Sequence, residues 1–239
     1  MNILAVDTSS QALTVAIKKD SYYEEFNSSD GSMQHSELLV PKINELCKAS
    51  RLKTSDIDLF ICTRGPGSFT GLRIGMAALK GMAYGLGKSL VSVSTLETFA
   101  NRIEDYDGVV VTALDAKKQR YYLAAFEVKE GSVKRLMPDT DGTETDLVNF
   151  ILPYDKVLVT GPDAVAFAKI LDDFYKGKKL IETHFDENKS LGVSLIELGT
   201  VMFEQKGADD IGQGPVYLRK SDAEIALDER KKQAELNNV

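Results

Sequence analysis

At 239 residues the chain has room for one large or two small domains. Its 43% hydrophobic and 27% charged residues are the balance of a globular protein, and no apolar run approaches the length of a membrane span. A net charge of −7 argues against a protein that grips a phosphate backbone unaided, because the basic residues form only small clusters at Lys117–Arg120, Lys176–Lys179 and Arg230–Lys232.

The apolar start Ile3–Val6 is broken by Asp7, so it reads as a strand and not as a secretory leader. A polar turn, Thr8–Gln11, leads to a second strand at Leu13–Ile17, and Tyr22–Phe26 reads as a third. Ser36–Ala49 has helical character, with His35 near its start and Pro41 expected to begin or kink it. His35 has no acid at triad-like spacing and reads as a polar contact.

Leu59–Cys62 is a buried strand, followed by T-R-G-P-G-S-F-T-G-L-R-I-G at Thr63–Gly75 and a helix opening at Ser68. Glycine turns at helix N-termini suit phosphate. Here, however, Thr70 stands where both a Walker A loop and a dinucleotide fingerprint counted from Gly65 need glycine. The nucleophile-elbow spacing fails as well, because Ser68 follows Gly67 directly. Gly71, Gly75, Gly81 and Gly85 lie inside the helix, each costing about 1 kcal/mol against alanine. At helical spacing Gly71, Gly75, Ala78 and Gly85 with Met82 share a face. Either that face packs tightly on its own sheet or it admits the backbone of a partner.

Polar residues at Asn101–Asp107 interrupt the pattern, and the opening plan then repeats. Val109–Leu114, Asp115, a polar turn Ala116–Arg120 and Tyr121–Phe126 match the first two strands. Val133–Met137, the helical Thr145–Leu152, and Val157–Val159 ending in Gly161-Pro162 before another helix match the rest. The sequence therefore predicts an α/β fold of two duplicated domains, each a mixed β-sheet flanked by helices with a β-β-β-α-β-α core. The expected domains are 1–104 and 105–220, with a charged tail or helix over 221–239. Gly192–Phe203 reads as a helix and Gly212–Arg219 as a connection. Cys47 and Cys62 are expected to be buried free thiols in a reducing cytoplasm, and two histidines with no C-x-x-C leave no zinc site.

A duplicated domain with an Asp-Thr/Ser turn resembles the actin-like ATPase superfamily, whose two Asp turns flank a nucleotide. The segments I-L-A-V-D-T-S (Ile3–Ser9), H-S-E (His35–Glu37), R-G-P-G-S-F-T-G-L-R-I-G (Arg64–Gly75), V-S-T-L (Val93–Leu96), L-D-A (Leu114–Ala116) and P-V-Y-L-R (Pro215–Arg219) resemble the TsaB (YeaZ) family. That resemblance implies a non-catalytic subunit that pairs with a TsaD-type enzyme to make threonylcarbamoyladenosine in tRNAs reading codons that begin with A. It further implies a TsaE-type ATPase in the same complex, tRNA met indirectly through that complex, and ATP and a divalent metal used by the partner subunits.

TsaD subunits hold their metal through H-x-x-x-H, and the matching positions here are Thr95 and Phe99, neither a transition-metal ligand like imidazole. No catalytic residue, metal site or cofactor of the chain's own is expected. Asp7, Thr8, Ser9 and Asp115 are expected to be a vestigial nucleotide cleft, each aspartate either serving a metal-bound water or tying down its turn. The expected partner surface comprises His35, Leu38, Leu39, Ile43, Leu46, Gly71, Arg73, Ile74, Gly75, Ala78 and Met82. The isolated chain is expected to hide that surface as a homodimer, in the cytoplasm and away from membranes.

Overall fold

A computed structural model describes residues 1–28, 34–184 and 190–220, together with 224 and 230. The first repeat runs β1 (Ile3–Asp7), β2 (Leu13–Lys19), β3 (Tyr22–Ser28), α1 (His35–Ala49), β4 (Leu59–Gly65), α2 (Phe69–Leu86), β5 (Ser89–Ser94) and α3 (Thr95–Ala100). The second runs β6 (Gly108–Lys117), β7 (Arg120–Lys129), β8 (Ser132–Gly142), α4 (Glu144–Ile151), β9 (Lys156–Thr160), α5 (Ala164–Tyr175), β10 (Leu180–His184) and α6 (Leu191–Lys206). The sheets have the orders β3-β2-β1-β4-β5 and β8-β7-β6-β9-β10, one topology used twice. In each, the first three strands are antiparallel neighbours and the last two add in parallel. The duplicated α/β fold with mixed sheets expected from the sequence is the fold observed, each repeat extended by one strand and one helix beyond the core the pattern shows.

Sheet alternation explains the layers. Leu4 and Val6 of β1 face α1 and α2, where Leu39, Ile43, Leu46 and Leu79 complete a core, whereas Ile3 and Ala5 face the other way. That second face is covered by Leu195 and Ile196 of α6, from the end of the other repeat. The exchange is reciprocal. Leu96 and Ala100 of α3 pack on Val110, Ala124 and Phe126 of the second sheet. The two exchanged helices meet between the sheets, where the Ser194 hydroxyl donates to the Thr98 carbonyl at 2.6 Å.

The expected boundaries, 1–104 and 105–220, cut across this exchange: α6, Asp209 and Val216 make their contacts with the first repeat, while α3 packs on the second sheet. The expected helix within 221–239 lies outside the described residues apart from 224 and 230.

One local feature departs from expectation and another agrees with it. Helix α1 starts at His35 and runs through Pro41, which neither begins nor ends it; proline forfeits one backbone bond there. Helix α2 starts as expected, with Ser68 as N-cap accepting from the Gly71 amide at 3.2 Å, and it ends on Gly87 in the left-handed conformation.

Candidate functional site: the interdomain cleft and the outer face of two helices

The carboxyl ends of β1 and β6 point into a cleft between the sheets with a volume near 520 Å³. One wall carries Ser9, Ser10, Gln11 and Thr14, with Gly67, Ser68 and Phe69 from the mouth of α2. The other carries Leu114, Asp115, Lys117, Tyr122 and Asp163.

The two aspartates expected to flank this cleft differ. Asp7 is wholly buried and does not line it. Its Oδ1 accepts from the Thr63 hydroxyl at 2.6 Å and from the Ser9 amide at 3.0 Å, so the carboxylate fastens the β1–β2 turn to β4. Its Oδ2 has no partner among the described residues. Asp115 does line the cleft. It accepts from the Lys117 amide and from Lys117 Nζ, both at 2.7 Å, while its own amide donates to Asp163 at 2.6 Å. Burial raises the Asp115 carboxyl, but the Lys117 bonds and charge outweigh it and hold the group below its usual range. Both carboxylates are thus engaged in tying down their own turns. Ser9 lines the cleft, whereas Thr8 does not.

Thr8 instead explains the glycines of α2. Its hydroxyl donates to the Gly71 carbonyl at 2.8 Å, and a Cβ added at Gly71 would collide with the Thr8 carbonyl oxygen. A Cβ at Gly75 would collide with the Thr8 hydroxyl, and one at Gly67 with the Ser9 carbonyl. The close backbone approach that these residues signal is to the chain's own β1–β2 turn.

Several residues expected on a partner surface are consequently internal. Gly71 and Gly75 are buried against Thr8, and Leu39, Ile43 and Leu46 are in the core. His35 is 2% exposed, its Nε2 sitting 2.9 Å from the Ser10 carbonyl. A helix face that packs on its own sheet cannot also meet another molecule. What remains outside is a neighbouring face. Leu38, Ile74, Ala78 and Met82 are half-buried at its border, and Arg73 is exposed. Sequence reasoning missed Val40 (44% exposed) and Tyr84 (78%) and set Gly81 aside; with Gly85 it has open space where a side chain would lie. The signal was present: Ala77, Gly81 and Gly85 recur every fourth residue, a stripe distinct from Gly71 and Gly75.

The positions matching a metal-binding histidine pair, Thr95 and Phe99, are 1% and 4% exposed on α3. A threonine hydroxyl and a phenyl ring do not make a transition-metal site, and among the described residues no three His, Cys, Asp or Glu side chains converge to make one. The residues present do not fit the metal of the related enzymes. Among the described residues no helix is long and apolar enough to cross a membrane.

Known proteins place this architecture. The family model for TsaD, tRNA N6-adenosine threonylcarbamoyltransferase, matches residues 27–205. The tRNA threonylcarbamoyladenosine biosynthesis protein TsaB of Bacillus subtilis is 29% identical over 97% of this chain and 100% of its own length. The protein of the same name from Escherichia coli is 32% identical over 56% of this chain and 58% of its own. In three dimensions YeaZ from Pseudomonas aeruginosa shares the fold, with a TM-score of 0.72 at 21% identity over 91% of this chain and 99% of that one. The topology, the Arg64–Gly75 segment seated on Thr8 and these matches together show that the chain belongs to the family described by the TsaD model and, within it, to the TsaB (YeaZ) group.

Proposed function

We propose that the chain is the non-catalytic partner subunit in the formation of N6-threonylcarbamoyladenosine in tRNAs reading codons that begin with A, where it pairs with and activates a TsaD-type enzyme in the cytoplasm. The observation that carries this reading is the pair Thr95 and Phe99, both buried at the positions that the family resemblance matches to the catalytic subunit's metal-binding histidines. The cleft supports it. Asp7 is buried outside the cleft with its Oδ1 on Thr63 and Ser9, and Asp115 is held by Lys117, so neither turn offers the cleft a free carboxylate for a nucleotide-bound metal or an attacking water. ATP and the divalent metal then belong to the partner and to a TsaE-type ATPase, and tRNA is held mainly by the complex.

The partner surface that fits the geometry is the outer face of α1 and α2. It presents Val40, Tyr84 and the borders of Leu38, Ile74, Ala78 and Met82, with Gly81 and Gly85 leaving room for a neighbouring backbone. A related subunit of the same fold can dock there about a pseudo-two-fold axis, and a second copy of this chain can do so in its absence.

Reconstitution tests the proposal. Co-purification with the TsaD-type subunit of the same organism and restored nucleoside modification are expected. Gly81→Leu or Ala78→Leu should weaken pairing by more than about tenfold, since overpacking of a close contact costs about 1–3 kcal/mol. Wild-type affinity in both variants would move the interface elsewhere. Steady ATP turnover by the isolated chain, or about one tightly held transition metal per chain on elemental analysis, would overturn the non-catalytic role.

A further inference from the structure

The segment 209–219, which carries the Pro215–Arg219 motif, has no part in the function proposed above, yet it is tied down along most of its length. Its start is fixed to the edge of the first sheet. The Asp209 amide donates to the Leu90 carbonyl, and the Asp209 carboxylate accepts from the Ser92 amide at 2.8 Å and the Ser92 hydroxyl at 2.5 Å. Lys80 of α2 then grips the carbonyls of Ile211 and Gln213. Further on, the Val216 amide donates to the Arg64 carbonyl at 2.7 Å, and the Val216 carbonyl presses on Gly65, where a Cβ would lie 2.6 Å from it.

At residues 217 and 218 the segment changes domain. The Tyr217 ring stacks on Phe69 of α2, with centroids 4.7 Å apart and planes at 13°, and its hydroxyl accepts from Arg73 Nε at 2.8 Å. The next side chain, Leu218, is half-buried against the cluster that α3 forms with the second sheet, to which Tyr122 and Phe126 belong. Arg219 then bonds the Tyr122 side chain and lines the cleft. Consecutive residues thus hold opposite walls of one cavity, and one peptide unit has no slack to absorb relative movement.

We propose that residues 209–219 form a brace that couples the aperture of the interdomain cleft to the first turn of α2. When the second domain swings away, Leu218 goes with it and Tyr217 is drawn off Phe69 and Arg73, which loosens the turn that Ser68 caps. When that turn is held rigid, the cleft is held near its closed width. The coupling is a property of the chain alone and does not depend on what docks against α2.

Two variants cut the brace from opposite ends, Leu218→Ala in the second domain and Tyr217→Ala on α2. Two readouts are taken on the full chain. One is the distance between spin labels on the exposed substitutions Glu45→Cys in α1 and Asp172→Cys in α5, with the buried native cysteines left in place. The other is amide exchange at Gly71 and Leu72, which bond to Ser68. An aromatic contact of this kind is worth about 0.5–1.5 kcal/mol, so either variant should raise exchange at Gly71 and Leu72 by up to about tenfold and broaden the label distances. Exchange in β1 and β6 should stay as in the wild type, which separates loss of the brace from global unfolding. A Leu218→Ala protein whose labels spread while α2 exchanges normally would overturn the coupling. So would a Tyr217→Ala protein whose α2 loosens with no change across the cleft.

Discussion

In the first repeat the aspartate that ends the leading strand is sealed from water and bonded to a neighbouring strand, and both flanking helices press on the turn behind it. In the second, the matching aspartate sits half in solvent, held by a lysine two residues on. The strand order is the same, and so is the glycine that closes the fourth strand of each repeat, Gly65 and Gly161 with φ of 112° and 108°. What differs is the load on the turn. The first turn is a close-packed junction between β1, β4, α1 and α2, while the second is a hairpin tip. Two copies of one topology can therefore carry very different tolerance to change at equivalent positions.

The sharpest break of that contrast is at α2. Gly75→Leu should destabilise the protein by about 3 kcal/mol or prevent folding, because Thr8 sits in the way and is itself tied to Gly71. Gly81→Ala, two turns later in the same helix, should stabilise by up to about 1 kcal/mol, since its side chain meets open space. Urea denaturation of the two variants measures both, and similar effects would mean the glycines are not divided between an inner and an outer face.

Next come the aspartates. Asp7→Ala strands the Thr63 hydroxyl and the Ser9 amide in a buried site and should cost about 2–3 kcal/mol, with tRNA modification by the reconstituted complex otherwise retained. Asp115→Ala removes a partly exposed ion pair and should cost less than about 1 kcal/mol. A loss of modification by orders of magnitude in a well-folded Asp7→Ala protein that still binds its partner would show that Asp7 carries chemistry.

The smallest mutational effect is expected at the second tip. Lys117, Lys118 and Gln119 all have left-handed backbone, φ between 57° and 63°, and Lys118–Gln119 form a two-residue hairpin loop better suited to Asn-Gly. Gln119→Gly should raise stability by about 0.5–1 kcal/mol, seen as a higher Tm.

A pH test probes the first domain's interior. Burial pushes the Cys62 thiol from its ordinary 9.0 up to about 12. The unfolded chain loses that proton first, so the folded state should weaken as pH rises through 9 toward 12. In Cys62→Ala that share of the alkaline slope should vanish, as thermal melts across the window would record.

Much of this arrangement is legible in the sequence. The apolar runs that end in Asp7 and Asp115, and the two Gly-Pro turns, give the duplication, because a strand followed by a polar turn leaves a periodic trace. The same reading misses β10 and the ownership of α6. Leu180–His184 is a short mixed run, and which sheet a helix covers is decided by packing between segments more than a hundred residues apart. The glycines of α2 announce a close neighbour by their cost, but nothing local says that the neighbour is Thr8. Several of the partner residues expected from helical spacing are buried for a related reason. Small and apolar residues lie on both faces of α2, and only the position of the sheet tells inside from outside.

The exchange of α3 and α6 between the sheets has a consequence for the order in which the protein can be made. Strands β1 to β5 emerge from the ribosome long before α6, yet among the described residues the sheet face bearing Ile3, Ala5, Ile61, Val91 and Val93 is covered by α6, through Leu195 and Ile196 with Leu198, Met202 and Phe203. For most of its synthesis the nascent first domain carries an apolar surface that its own repeat cannot cover. Folding from the N-terminus must therefore pause on a half-built core, and a chain cut short anywhere before residue 206 should be a chaperone client or a substrate for proteolysis and never a functional half.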